Sequence, residues 1–285
     1  MTVEVGIINR KGAVLAADSA STVKVGGRNK TISTDKIFAL SKAHFVGIMV
    51  YDNAYFTNIP WETVIKGFRS HIGENPFDTL KDYADDFPTI CEYRIVGRIS
   101  GKLIYEVRSL QKIDTTSKNV YDTYGYIVPF AQKDVIKAYI FGIDPVLKDT
   151  LESKLKTIFN NLFEVIQSEC KNAISDEFSS KYRDIINNVG KILGNQIEET
   201  FRIFQNNNYI IPFFTMINFL GKVELAALAE ALVNLTITRR RFTTDEETVG
   251  GATDVAIITK GEGFIWVRRK EFFHKTEIIT SDNIG

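Results

Sequence analysis

Cysteine is scarce in this chain. Cys91 and Cys170 lie far apart without metal-ligand spacing, so each is expected to fill core in a reduced, cytoplasmic protein. An excess of either charge is also missing. Lys+Arg and Asp+Glu stand at 35 each, so no global field favours nucleic acid or an anionic membrane. The basic runs Arg239–Arg241 and Arg268–Lys270 read as a helix end and a strand surface. Long hydrophobic runs are absent. The most apolar stretch, Tyr209 to Leu220, is broken by Pro212 and Asn218 and is too short to span a bilayer. No basic-then-apolar-then-small pattern opens the chain, so no signal peptide is expected. Internal repeats and low-complexity tracts are absent as well. What is present is ordinary for a soluble globular protein: 44% hydrophobic and 25% charged residues over 285 positions. That length suits one large domain, 1–285, or a domain with an insertion.

Taken in order, Val3, Val5 and Ile7 alternate with Thr2, Glu4 and Gly6, the period of a half-buried strand. A turn at Lys11-Gly12 leads to Ala13–Ala17, which lacks polar alternation and reads as a strand buried on both faces. Lys24–Lys30 reads as a loop or hairpin. Lys36–Leu40 and His44–Val50 form a second strand pair, so four strands in consecutive hairpins are expected to build one sheet before any helix. Trp61, Val64, Ile65, Phe68 and Ile72 recur at helical spacing, and Phe77–Phe87 continues as a second helical piece. Its acidic residues Asp82, Asp85 and Asp86 read as a solvated face, because no calcium-loop glycine accompanies them. Strands are expected at Tyr93–Arg98, Lys102–Ser109, Tyr121–Phe130 and Lys137–Phe141. A long helical tract follows, with apolar Leu147, Leu151, Leu155, Ile158, Leu162, Val165 and Ile166 on one face. Ile185, Val189, Ile192, Ile197, Phe201 and Phe204 repeat the pattern, and Lys222–Ile237 reads as another helix. Strands Asp254–Thr259 and Phe264–Val267 close the chain. Strands first, helices in two blocks and strands last predict an α+β sandwich.

Three residues point to chemistry. If the residue before it is removed, Thr2 becomes an amino terminus carrying both a hydroxyl and an amine. A hydroxyl needs an adjacent base, and an α-amino group, which titrates near pH 8, is placed to serve. A nearby cation keeps that amine neutral, and a carboxylate holds the cation. Lys36 and Asp18 supply the pair, each at the end or start of a strand. Taken singly, the three read as an ordinary second residue, a turn aspartate and a strand-edge lysine.

Their contexts are more specific. Thr2-Val3-Glu4-Val5-Gly6-Ile7, then Gly12-Ala-Val-Leu-Ala-Ala-Asp-Ser19, Lys36-Ile-Phe-Ala-Leu40, Val46-Gly-Ile-Met49 and Val249-Gly-Gly-Ala-Thr-Asp-Val-Ala-Ile-Ile258 resemble the proteasome β-subunit and HslV branch of N-terminal nucleophile hydrolases, including bacterial proteasome-like proteins. The resemblance covers residues 2–54 and 221–270 well and 55–145 loosely, and residues 146–215 stand as a helical insertion. It implies a four-layer αββα fold assembled into a homo-oligomeric ring. It also implies a threonine-type peptidase acting on peptides or unfolded protein, with a possible ATP-dependent unfoldase as partner and no cofactor or metal. Thr2 would be nucleophile and base, Lys36 the tuning cation, Asp18 its partner and Glu246 a late acidic residue. The Tyr51 backbone N–H would complete the oxyanion hole and Met49 would line an apolar pocket.

The chain departs from the family pattern at several points. Glu246 stands for aspartate, Val249 for a serine, Tyr51 for glycine and Ala20 for arginine, and Phe141-Gly-Ile-Asp144 lacks the serine of a mid-chain Gly-Ser-Gly. Two alternatives follow: a structural or binding subunit without useful turnover, and an amidohydrolase acting on small amides.

Overall fold

The computed structural model describes residues 2–41, 45–51, 55–56, 59–73, 77, 82–83, 86–87, 126–173, 176–244, 249–259 and 261–270. These fall into two compact units, Met1–Lys133 with Ile217–Gly285, and Asp134–Met216. The expected strands at Tyr93–Arg98 and Lys102–Ser109 lie outside the described residues, as does Glu246.

The first unit is built on a five-stranded antiparallel sheet. Strands β1 (Val3–Asn9) and β2 (Gly12–Asp18) form a hairpin, with Glu4 opposite Ala17 and Asn9 opposite Gly12. Strand β9 (Tyr126–Ala131) flanks β1; β10 (Thr253–Thr259) flanks β2, and β11 (Gly263–Arg268) lies outermost beyond β10. Every residue of β1 is buried, which corrects the half-buried reading. Alternation places Val5 and Ile7 on one face and Glu4 and Gly6 on the other, and both faces are covered.

One cover is helix α6 (Lys222–Arg241), which packs on β1, β2 and β10. Its buried residues Leu225, Ala226, Ala229, Leu232, Val233, Thr236 and Ile237 fall on one stripe at three-to-four spacing. Glu224 in its first turn and Arg239, Arg240 and Arg241 in its last suit the helix dipole. On the other face lies the hairpin of β5 (Ile37–Ala39) and β6 (Gly47–Met49). Ile37 and Met49 are paired and join Leu15, Ala17 and Ala256 in one apolar cluster. The neighbouring pair, Phe38 and Ile48, points the other way, into a second cluster with Trp61, Val64, Ile65 and Phe68 of α1 (Trp61–Ile72). Gly47 leaves room for this approach: a Cβ there would lie 2.7 Å from Leu15 Cδ1 and the leucine would have to shift.

The four amino-terminal hairpin strands were expected in one sheet, and here the structure differs. β1 and β2 belong to the large sheet, and β5 and β6 pair with each other on its face. Between them β3 (Ala20–Val25) and β4 (Arg28–Ser33) form a separate two-stranded ribbon. Two two-residue strands, Tyr55–Phe56 (β7) and Ile59–Pro60 (β8), add a short pair before α1.

The second unit is helical. Lys137–Phe141, expected as a strand, belongs to helix α2 (Asp134–Phe141), whose Val135, Ile136 and Ile140 are buried. A five-residue run of mostly apolar residues cannot distinguish a strand from a turn and a half of helix. Phe141 thus ends a helix, and Gly142 follows with φ 69°. Helices α3 (Pro145–Ala173) and α4 (Asp176–Gln205) form a long pair, and Leu155, Phe159 and Phe163 are partly buried at i, i+4, i+8. The faces read as apolar are mostly exposed: Leu147, Ile158, Leu162 and Val165 on α3, and Ile185, Val189 and Ile192 on α4. Helix continues from α4 through a π-helical turn (Asn206–Ile210) into α5 (Ile211–Phe219), which crosses the boundary between the units. Pro212 therefore does not break the chain into a loop. A π-helical turn, closed by the Ile211 N–H on the Asn206 carbonyl, directly precedes this proline, which sits in the first turn of α5 where its missing N–H is tolerated.

Candidate functional site

Asp18 ends β2 and is fully buried, at 0% exposure. A buried carboxylate is tolerated only when its oxygens are hydrogen-bonded or paired, and Asp18 is both. Its Oδ1 accepts the Lys36 Nζ at 2.7 Å and the Val3 N–H at 3.0 Å, and its Oδ2 accepts the Gly250 N–H at 3.0 Å. Lys36 enters β5 and is 3% exposed; its Nζ also donates to the Ala20 carbonyl at 2.6 Å. The strand pairing is extended by the Val50 N–H, which donates to the Lys36 carbonyl at 2.9 Å. One carboxylate thus ties together the amide that follows Thr2, the lysine of the second hairpin and a loop 232 positions further along the chain.

Thr2 is itself buried, at 3% exposure, and its carbonyl accepts the Gln132 N–H at 3.0 Å, just past β9. Its backbone is therefore clamped between the Asp18 network and the end of β9. Tyr51 follows Val50 directly. Its ring stacks on Phe130 with centroids 5.9 Å apart and planes 27° apart. Met49 is buried with Ile37 and Ala17 in the cluster between the large sheet and the β5–β6 hairpin. The structure therefore brings together Thr2, Asp18 and Lys36, places Tyr51 at the end of the same hairpin, and packs Met49 into the layer behind them.

The Gly250-Gly251 pair is explained by this network. The Gly250 carbonyl accepts the Ala20 N–H at 3.0 Å while its N–H holds Asp18. Gly251 has φ 75°, and a Cβ on it would stand 2.4 Å from Ser19 Oγ. Only glycine meets both demands. Val249, at the position expected to carry a serine, is buried and apolar.

Beside Lys36 lies a second charged cluster. Lys270 Nζ meets Asp35 Oδ1 at 2.7 Å and Asp254 Oδ2 at 3.4 Å, and the Lys270 N–H donates to Asp254 Oδ1 at 2.7 Å. Burial pushes Lys36 below the usual lysine range; Asp18 and Glu4 oppose that shift and Lys270 adds to it. Two anions near one cation restrain the loss of its charge, while a second cation favours it.

Glu4 is the residue that sequence reasoning passed over. The residue is 1% exposed, and its Oε1 has no hydrogen-bond partner among the described residues. Burial pushes its carboxyl up to about 8; Lys36 pulls it down and Asp18 pushes it further up. Its only sequence signal was position: it shares a strand face with Thr2. Among the described residues, no group of three or more His, Cys, Asp or Glu is placed to hold a metal ion. No helix among them is long and apolar enough to cross a membrane. No protein-family model, curated protein or solved structure matches this chain.

Proposed function

We propose that the chain is a threonine-type peptidase of the N-terminal nucleophile class, with Thr2 as nucleophile and base. The observation that carries the reading is the Asp18 carboxylate, which joins Lys36 at 2.7 Å to the backbone amide directly after Thr2 at 3.0 Å. A buried cation fixed beside the residue that carries the hydroxyl is what this chemistry requires. The reading demands that the bond before Thr2 be cut. The freed amine then takes the Thr2 hydroxyl proton as Oγ attacks a peptide carbonyl. Lys36 keeps the amine neutral and Asp18 keeps Lys36 in place. The Tyr51 N–H stabilises the oxyanion, the amine passes its proton to the leaving nitrogen, and water releases the ester. Glu246 keeps the supporting role the resemblance gives it, Met49 backs the site from the apolar layer behind it, and the packing order α6, large sheet, β5–β6 hairpin, α1 supports a four-layer αββα sandwich.

Peptide or unfolded protein entering a homo-oligomeric ring is the substrate and setting in this reading, with an ATP-dependent unfoldase as a possible partner. The exposed apolar residues of α3 and α4 favour a role in association. Deletion of 146–215 is expected to disrupt oligomers, and an unchanged sedimentation profile would contradict that role. The direct test of the chemistry is Thr2→Ala. It is expected to abolish hydrolysis of fluorogenic peptides with the oligomer intact; undiminished turnover would refute it. One observation favours the second reading, a subunit without useful turnover. Val249 is buried and apolar where the resemblance expects a serine to hold the amine. Failure of an epoxyketone to label Thr2 would support that alternative.

A further inference from the structure

Glu4 is an acid in a place where acids are costly. Register sets it opposite Ala17 on β2 and Phe130 on β9. Residues directly opposite in a ladder share a face, so its side chain leaves β1 on the face of Ala17 and Phe130, which pack against Ile37 and Met49. It also shares that face with Thr2, two positions earlier. Its surroundings are thus the apolar layer between the large sheet and the β5–β6 hairpin. A buried polar atom without a partner among the described residues, here Oε1, carries an uncompensated desolvation cost. The charged groups acting on Glu4 are Lys36, entering β5, and Asp18, ending β2; Lys270, after β11, acts on Lys36 in turn.

We propose that Glu4 is a further positioning residue of the Thr2 site, a carboxylic acid that competes with Asp18 for Lys36 once it ionises. This rests on the reading of Thr2 as nucleophile. With Glu4 neutral, Lys36 and Asp18 form a balanced pair, and the cation acts fully on the Thr2 amine. Loss of the Glu4 proton adds a second anion beside Lys36 and turns the local field negative. The amine then binds its own proton more tightly, so a smaller share of it is neutral and ready to act near pH 8. Burial holds the ionisation of Glu4 at about 8, so the change falls just above neutrality. No covalent step belongs to Glu4; only its proton leaves, to solvent.

The test uses the full chain as wild type, Glu4→Gln and Glu4→Asp, with glutamate carboxyl carbons and lysine side-chain carbons labelled for NMR. The carboxyl resonance that Glu4→Gln removes is expected to titrate near pH 8. The Lys36 resonance should show a step at the same pH in wild type and lose it in Glu4→Gln. The rate of Thr2 labelling by a peptide epoxyketone, read by intact mass from pH 6 to 9.5, should rise as the amine loses its proton, and in wild type the rise should extend to higher pH than in Glu4→Gln. In Glu4→Gln it should reach its plateau earlier, leaving the variant faster by about two- to threefold near pH 8.5, with the two rates converging towards pH 9.5. Glu4→Asp, which keeps the acid, should retain the delayed rise. A Glu4 resonance that titrates near 4.5, or a Lys36 step that survives in Glu4→Gln, overturns the proposal. Identical labelling profiles in wild type and Glu4→Gln overturn it too. If no variant labels Thr2 at any pH, the nucleophile reading fails. The paired titration of Glu4 and Lys36 still decides whether the two groups are coupled.

Discussion

Lys36 and Lys156 each meet a carboxylate, in opposite surroundings. Lys36 is 3% exposed, and its partner Asp18 carries two backbone N–H groups as well. Lys156 pairs with Glu198 across the α3–α4 hairpin with side chains 44% and 51% exposed. The same contrast runs through the apolar residues. In the first unit both faces of β1 are covered, whereas α3 and α4 leave Leu162, Val165 and Ile192 exposed. A buried pair is dear to break because each orphaned group stays out of water. An exposed pair is returned to solvent at little cost. The first unit is therefore where single substitutions should tell, and the second where they should not.

The largest effect is expected from Asp18→Ala. It strands the Lys36 ammonium and leaves the Val3 and Gly250 N–H groups without their acceptor. A loss of about 3–5 kcal/mol is expected in urea unfolding, together with loss of Thr2 labelling. A midpoint near wild type would show that the pair does not hold the site.

Glu4→Gln should act in the opposite direction and only above acid pH. The folded state raises the Glu4 carboxyl from 4.5 to about 8. The fold therefore binds this proton more tightly than the unfolded chain does, and its contribution is full below 4.5. Wild type loses that contribution as pH rises from 4.5 towards 8, and glutamine does not. Equal stability near pH 4 and a Glu4→Gln advantage of about 2–4 kcal/mol at pH 8 are expected. The amide inherits the orphaned oxygen position, which keeps the gain below the full linkage value. A gap that does not vary with pH would contradict the buried neutral acid.

Gly251→Ala sharpens the comparison at the backbone. Alanine at φ 75° with its Cβ 2.4 Å from Ser19 Oγ should cost about 1–3 kcal/mol. It should also slow Thr2 labelling by displacing Gly250 from Asp18. The smallest effects belong to the helical unit. Lys156→Ala should leave the urea midpoint where it is, and Leu162→Ser should stay within about 0.5 kcal/mol of wild type. A large loss from either would mean that this exposed surface is covered in the folded protein.

Much of the first unit was legible because its signals are local. Alternation in Val3–Ile7, the small residues of Ala13–Ala17 and the helical stripe of Trp61 to Ile72 each report one element. Glu4 was not legible. Period two assigns it to a solvent face, and it is the β5–β6 hairpin, arriving from elsewhere in the chain, that buries that face. The bond from Gly250 to Asp18 was hidden likewise, since a backbone N–H leaves no mark in side-chain patterns. Lys137–Phe141 misled because its β-branched and aromatic residues fit a strand equally well over so short a run. At the site, Lys36 and Asp18 were suggested by chemistry and context, and the structure adds their distance and the hold of Asp18 on the Val3 N–H.

The central claim is that Thr2 carries the reaction at a free amino terminus. Intact mass of the purified protein, with and without a peptide epoxyketone, tests it most directly. The account predicts a chain that begins at Thr2 and gains one adduct, and no adduct in Thr2→Ala. A chain that keeps the residue before Thr2 throughout, or an adduct that persists in Thr2→Ala, would contradict it.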